Sequence, residues 1–167
     1  QTKKRYLPYF LRQHLSYYDE LTVKRVKAYI NKYRGKPDYL NAHVSKSDSF
    51  SLINWICRKP DLDLLKLLME CDGADLNNHI INGDTPIYQL ISRYYQLGDN
   101  KIITMIKLIC QAPSFNFHLT DSMNDTPYKN LAKSIGEGSY IEGQRAGVTE
   151  ILNLFLTLSE PSQEDYI

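Results

Sequence analysis

Four histidines have side chains well suited to chemistry, since an imidazole can bind a metal ion or transfer a proton near neutral pH. They are His14, His43, His79 and His118. No pair has the i, i+4 spacing of two ligands on one helix, and none accompanies cysteines at the spacing of a zinc site. The last three are separated by about the length of the repeat unit described below, which sets them apart along the fold. We therefore expect no metal site and no cofactor.

Cysteines offer a second possible chemistry, a thiol nucleophile activated by a histidine. The chain has three, Cys57, Cys71 and Cys110, without Cys-x-x-Cys spacing and each in an apolar helical stretch. No segment around them resembles the tight turn or helix terminus that lowers a thiol pKa. An odd number of cysteines in such stretches predicts free, buried thiols in a reducing, intracellular compartment.

Other catalytic motifs are missing from the sequence. The glycines between Gly136 and Gly147 neither follow a strand nor end in the Lys-Ser/Thr of a phosphate-binding loop, and no Gly-x-Ser-x-Gly is present. We therefore predict that this chain is not an enzyme. Because it begins with Gln1, we expect it to be part of a longer protein, and a catalytic domain elsewhere in that protein is the alternative.

The composition of the chain limits the kind of fold that can position these side chains. The 167 residues are 43% hydrophobic, which suits one domain with a continuous core. Apolar residues form short clusters such as 64–65 and 67–69, and no run approaches the roughly 20 residues of a membrane-spanning helix. The sequence thus predicts a soluble, cytoplasmic protein, which we expect to be a monomer.

Charge is unevenly distributed along the chain. Residues 1–37 hold ten Lys or Arg against Asp19 and Glu20, a net charge of +8, whereas the remaining residues carry −7. A basic patch is predicted in this N-terminal region: Lys24, Arg25, Lys27, Lys32 and Arg34. It is interpreted first as a solvated cap, second as a surface for an acidic protein or a membrane, and last as a nucleic-acid site, since the rest of the chain is acidic.

A repeat organises the sequence. Gly83-Asp84-Thr85-Pro86 recurs as Asn124-Asp125-Thr126-Pro127, with the two prolines 41 residues apart. Gly or Asn permits a turn with positive φ, Thr caps the following helix, and Pro fits its first position. Each start is followed by an apolar stripe and then a second amphipathic segment, which predicts pairs of helices.

The junction between two such pairs resembles the ankyrin-repeat family. Residues 73–77, Gly-Ala-Asp-Leu-Asn, followed nine residues later by the Pro of residues 83–88, Gly-Asp-Thr-Pro-Ile-Tyr, are similar to the family pattern of Gly-Ala-Asp-Val-Asn, a β-turn finger and Gly-x-Thr-Pro-Leu-His. The resemblance implies an all-α ankyrin-repeat solenoid of about four helix pairs with short β-turn fingers. It spans residues 1–160, with units of 6–41, 42–77, 78–118 and 119–159, followed by an acidic tail, 161–167.

The sequence departs from the family pattern at several positions. Tyr88 and Lys129 replace the family's His, and extra residues fall between the helices of a pair at 94–100 and 136–145. The second insertion, which is rich in glycine, is either a binding element or a mobile loop. Among the thirteen tyrosines, four share helical spacing with apolar residues: Tyr17, Tyr18, Tyr29 and Tyr33. This favours core or boundary positions over recognition for most of the tyrosines.

The resemblance also implies a function, the binding of a partner protein through a concave face of fingers and first helices. It places these protein-binding residues there: Lys46, Ser47, Ile81, Asn82, Asp84, Ser92, Arg93, Ser122, Met123, Asp125 and Lys133. Cys57 and Arg58 are expected nearby, at the exposed end of a first helix. Ile81 and Met123 are large apolar residues in turns, which indicates either an interface or packing of finger on finger.

The divergent repeats resemble the ankyrin modules of effectors that intracellular bacteria inject into host cells, and less closely those of poxviruses. This implies a host protein as partner and the host cytosol as location. The alternatives are a substrate-recruiting domain of a larger enzyme and a membrane-surface adaptor that uses the basic N-terminal helices.

Overall fold

The computed structural model describes residues 5–45, 49–80, 82–138 and 142–158. Within these ranges the chain is all-α, and extended pairing is limited to isolated bridges that His43 makes with Tyr6 and Ser51. The first helices are α1 Tyr9–His14, α2 Glu20–Lys32, α3 Pro37–Leu40, α4 Leu52–Arg58 and α5 Leu62–Glu70. The others are α6 Pro86–Leu97, α7 Asn100–Gln111, α8 Pro127–Glu137, a 3₁₀ turn at Glu142–Gln144, and α9 Arg145–Leu158.

The helices pack as pairs that form two rows. The pairs are α1 with α2, α4 with α5, α6 with α7, and α8 with α9. In one row α4 packs on α6 and α6 on α8; in the other α2 packs on α5, α5 on α7, and α7 on α9. One hydrophobic core runs through the described residues, from Leu7 and Leu11 at one end to Ile151 and Phe155 at the other.

Local chemistry explains where the helices begin. The side chains of Asp19, Asp61 and Asp99 each accept a hydrogen bond from a backbone amide in the first turn of the helix that follows. Helices α6 and α8 begin at Pro86 and Pro127, as the sequence predicts, because proline lacks the amide that would stay unpaired there.

The predicted threonine caps are confirmed at one of the two positions. Thr126 accepts a hydrogen bond from the Lys129 amide at 3.3 Å. Thr85 makes no side-chain cap bond, and its Oγ1 is buried without a hydrogen-bond partner among the described residues. The prediction of a Thr85 side-chain cap is therefore wrong.

Asparagine side chains connect one unit to the next. Asn41 Nδ2 donates to the Gly73 carbonyl at 2.7 Å, and Asn41 Oδ1 accepts from the Asp75 amide at 2.7 Å. Asn77, 36 residues after Asn41, makes the same two bonds, with the Ser114 carbonyl at 2.7 Å and with the Asn116 amide at 2.9 Å. The same device thus joins two successive junctions.

Both insertions predicted between paired helices differ in the structure. Residues 94–97 continue α6, and only Gly98 and Asp99 separate it from α7. The glycine-rich insertion is described only in part: α8 extends to Glu137, α9 begins at Arg145, and residues 139–141 lie outside the described ranges. Its end is anchored, since the buried Gln144 donates its Nε2 to the carbonyls of Tyr94 and Tyr95 at 3.0 and 3.2 Å.

Two further expectations about burial are corrected. Tyr29 is buried, but Tyr17 is 66% exposed and Tyr18 is 38% exposed, so the core interpretation is wrong for Tyr17. Cys57 is fully buried, which agrees with the prediction of a buried thiol and contradicts its placement at the exposed end of a first helix. No helix in the described part of the chain has the length and apolar character needed to cross a membrane.

Candidate functional site

Two β-turns with the same backbone hydrogen bonds precede α6 and α8. In the first, the Ile80 amide donates to the Asp84 carbonyl at 3.0 Å, and the Gly83 amide donates to the Ile80 carbonyl at 2.9 Å. The second turn repeats these bonds 41 residues later, at 2.9 and 3.0 Å. As predicted, Gly83 and Asn124 have positive φ, 87° and 61°. We call these segments the fingers: residues 80–84 and 121–125.

The segment that leads into each finger is held by a side chain from the first helix of the preceding pair, α4 or α6. The single hydroxyl hydrogen of Tyr88 is shared between two carbonyl oxygens, that of Leu119 at 3.1 Å and that of Asp125 at 2.5 Å from Oη. Asn54, which occupies the corresponding position in α4, donates its Nδ2 to the Asn78 carbonyl at 3.3 Å. Residues 78 and 119 are 41 apart, so the structure uses the same anchoring position twice.

The fingers also stack on each other closely. A Cβ atom at Gly83 would lie 2.8 Å from the backbone nitrogen of Ser122, which is closer than real Cβ contacts. The sequence therefore needs glycine in the first finger for two reasons, the positive φ and the approach of the second finger.

A groove of about 370 Å³ lies beside the first finger. Its walls come from α4, from the finger and from one face of α6. The residues that line it are Phe50, Arg58, Ile80, Asn82, Asp84, Gln89, Ser92, Arg93 and Gln96. We call this space the finger groove. Charged and amide side chains dominate its lining, which suits a peptide or a polar side chain better than an apolar ligand.

Several side chains of the finger groove are held by neighbours. Gln89 Oε1 accepts from Asn54 Nδ2 at 3.1 Å. Arg93 donates to Gln96 Oε1 at 2.8 Å. The Arg58 guanidinium lies over the Phe50 ring, 5.9 Å from its centroid. These contacts fix much of the lining before any partner is bound, which lowers the entropy lost on binding.

Asp84 is the acidic residue of the finger groove. Its Oδ2 accepts from Asn82 Nδ2 at 3.1 Å. Burial, and to a lesser extent the charge of Asp121, raise the pKa of the Asp84 carboxyl above its usual value. The hydrogen bond from Asn82 lowers the pKa of Asp84, but it does not cancel the increase.

The structure brings four of the predicted protein-binding residues together in the finger groove: Asn82, Asp84, Ser92 and Arg93. On the second finger, Ser122 is exposed and Met123 is 76% exposed. Asp125 is only 9% exposed and forms an ion pair with Lys133 at 2.5 Å, so both side chains already have a partner. Three predicted residues lie outside the described ranges: Lys46, Ser47 and Ile81.

Sequence reasoning missed four residues that line the finger groove: Phe50, Ile80, Gln89 and Gln96. A signal for two of them was present. Gln89, Ser92, Arg93 and Gln96 follow the i, i+3, i+4, i+7 spacing of a single helix face. Phe50 and Ile80 are apolar, and only their place beside the first finger makes them part of the lining.

The predicted basic residues have several partners within the chain. Lys24 pairs with Glu20 at 3.3 Å, and Arg34 pairs with Glu70 at 3.7 Å. The Lys32 ammonium lies 5.4 Å from the centroid of the Tyr33 ring. Arg25 is partly buried, and Lys27 is exposed.

The predicted free, buried thiols are confirmed. Cys57, Cys71 and Cys110 are free and buried, and burial raises the pKa of each thiol. A thiol of this kind is protonated at neutral pH and is a weak nucleophile. Within the described ranges, no three His, Cys, Asp or Glu side chains come together as they would around a metal ion.

No protein-family model matches this chain, and no curated protein sequence matches it.

Proposed function

We propose that this chain is a divergent ankyrin-repeat module that binds a partner protein through its fingers and the adjacent ends of α4, α6 and α8. The observation that carries the proposal is the pair of stacked fingers with identical backbone bonds, one of which borders a preformed groove. A repeated backbone with different side chains at each unit is the usual basis of recognition in stacked helical repeats.

The chemistry of this surface supports a protein partner. Met123 presents a large apolar side chain in a solvent-facing turn, where it contributes little to the core. The finger groove borders the first finger, on which the second finger with Met123 stacks, and it presents arginine, aspartate and amide side chains. An apolar contact with a polar surround is common in protein interfaces.

We further propose, from the resemblance to effectors of intracellular bacteria, that the partner is a host protein. The same surface would serve a module that recruits substrates to a larger enzyme. The membrane-surface alternative is supported less, because Lys24, Lys32 and Arg34 already have partners within the chain.

The proposal is tested by affinity capture from a eukaryotic cytosolic lysate with a double variant, Met123→Asp with Arg93→Glu. The matched control is Leu97→Asp with Lys101→Glu, which makes the same changes of polarity and charge at exposed residues outside the finger groove. Loss of interface residues of these types costs about 1–2 kcal/mol each, so we expect more than about tenfold less captured partner.

The wild-type chain and the control should retain the same partner, and all three proteins should show similar melting curves. Equal capture by the double variant and the control would contradict the proposal and move the search to the basic N-terminal helices.

A further inference from the structure

Three pairs of residues occur in this fold whose two members are eight residues apart in the sequence. In each, the first residue directly precedes a helix N-cap, Ser51, Thr85 or Thr126, and the second lies in the second turn of that helix. The three pairs are therefore equivalent places in successive units. They are Phe50 with Arg58, Asp84 with Ser92, and Asp125 with Lys133.

Two of these pairs are complete within the chain. The Arg58 guanidinium lies over the Phe50 ring, 5.9 Å from its centroid, a cation–π geometry. Lys133 Nζ donates to Asp125 Oδ2 at 2.5 Å, and this carboxylate is nearly buried. In both units the helix residue brings a cation to the side chain that directly precedes the N-cap.

The middle pair has an anion but no cation. Ser92 stands where the neighbouring units have Arg58 and Lys133, and its side chain is too short and carries no charge. Among the described residues, no Lys or Arg nitrogen lies within 4.0 Å of the Asp84 carboxylate. Asp84 is nevertheless half-buried, and removing a carboxylate from water without a counter-charge is unfavourable.

The missing cation coincides with the finger groove. Asp84 and Ser92 both line it, and its volume of about 370 Å³ lies in the lower part of the range typical of ligand sites, roughly 300–1,000 Å³. Beside Asp125, by contrast, Lys133 of α8 already supplies the cation from within the chain.

We propose that Asp84 receives a lysine or arginine side chain of the partner protein, which takes the place that Lys133 occupies beside Asp125. This inference rests on the proposed function and names the chemistry of the partner. Arg58 and Arg93 line the same groove, and they would repel a basic side chain that approached them. The partner segment that fits both signs of charge has a basic residue at Asp84 and an acidic residue beside it, towards the two arginines.

The test is selection of a displayed random-peptide library on the immobilised wild-type chain, followed by measurement of the affinity of the enriched peptides. The variants are Asp84→Asn, which removes the anion, and Ser92→Lys, which supplies the cation from within. Two controls match them: Asp72→Asn changes the same charge at an exposed site outside the groove, and Ser92→Gln adds length without charge.

We expect enriched peptides to carry Lys or Arg at one fixed position, often beside Asp or Glu. Asp84→Asn and Ser92→Lys should each weaken their binding about tenfold, the value of one charge-assisted hydrogen bond. Asp72→Asn and Ser92→Gln should bind within about twofold of the wild type, and replacing the basic residue of the peptide by norleucine should abolish the effect of both groove variants.

Two results would overturn the inference and leave the proposed function intact: enriched peptides without a fixed basic residue, or basic peptides that bind Asp84→Asn as well as they bind the wild type. In either case the peptides would still lose affinity for the Met123→Asp, Arg93→Glu variant. Peptides that are insensitive to that variant as well, or a selection that enriches none, would overturn both.

Discussion

The finger that leads into α6 and the finger that leads into α8 have the same backbone but different side-chain partners. Their turns repeat the same bonds, and both precede Thr-Pro at the start of a helix. In the second, Asp125 is paired with Lys133 and Thr126 caps its helix. In the first, no Lys or Arg among the described residues pairs with Asp84, and the Thr85 hydroxyl is buried without a partner in the same part of the chain. The difference shows that glycine, proline and the backbone maintain the repeat, while the side chains are free to specialise.

The largest effect is expected from exchanging the residues with positive φ between the two fingers. Gly83→Asn copies the residue of the second finger, but its Cβ would meet the Ser122 backbone nitrogen at 2.8 Å. We expect a loss of about 2 kcal/mol in the free energy of unfolding, from strain and the displaced finger. Urea denaturation measures it.

The reciprocal change is the control for this exchange. Asn124→Gly relieves a positive φ of 61° and should change the free energy of unfolding by less than about 1 kcal/mol. Equal costs for the two substitutions would mean that the fingers do not stack as described.

Smaller effects on the free energy of unfolding, different at the two sites, are expected at Thr126 and Thr85. Thr126→Val removes a helix cap and should destabilise the protein by about 1 kcal/mol. Thr85→Val has the same shape change but removes a buried hydroxyl that has no partner in the described structure, so it should be neutral or stabilise by up to about 1 kcal/mol. The measurement is the free energy of unfolding of both variants at one pH; a loss at Thr85 as large as at Thr126 would contradict it.

The smallest effect is a pH-dependent one at Asp84. Its pKa is raised above the ordinary value of 3.8, mainly by burial, so ionisation costs stability once the pH exceeds that value, and the cost is absent well below it. Asp84→Asn should therefore raise the melting temperature slightly at pH 7 and leave it unchanged at pH 3. The gain in the free energy of unfolding should not exceed about 0.5 kcal/mol, because solvent screens the half-exposed carboxylate.

Asp125→Asn is the comparison for Asp84→Asn, because it removes an existing ion pair with Lys133 and should lower the melting temperature at pH 7. If both variants shift the melting temperature in the same direction at pH 7, the contrast between the two carboxylates is not real.

The starts of α6 and α8 were predictable from the sequence because they depend on local chemistry. Gly83, Asn124, Pro86 and Pro127 act through their own φ angles and missing amide, and the structure agrees at all four. The length of α6 was underestimated. Its apolar pattern continues to the buried Tyr94, so the periodicity was present and the extra residues simply lengthen the helix.

The candidate site was predictable only in part, for a physical reason. Resemblance placed Asn82, Asp84, Ser92 and Arg93 on one surface, and the structure brings them together around one groove. It could not show that Asp125 is nearly buried beside Lys133 while Asp84 has no cation partner within the described ranges, because that depends on which side chains meet in space. The burial expected for Tyr17 and the exposed helix end expected for Cys57 failed similarly, since helical spacing does not say which side a neighbouring helix covers.

The asparagine bonds at Asn41 and Asn77 have a mechanical consequence. Asn41 bonds only to the junction at residues 73–75, and Asn77 bonds only to the junction at residues 114–116. Neither asparagine reaches a junction two units away. Under a stretching force applied to the two ends, these bonds therefore carry the load in series. The weaker junction opens first, and the molecule extends in steps of one unit while the remaining units stay folded.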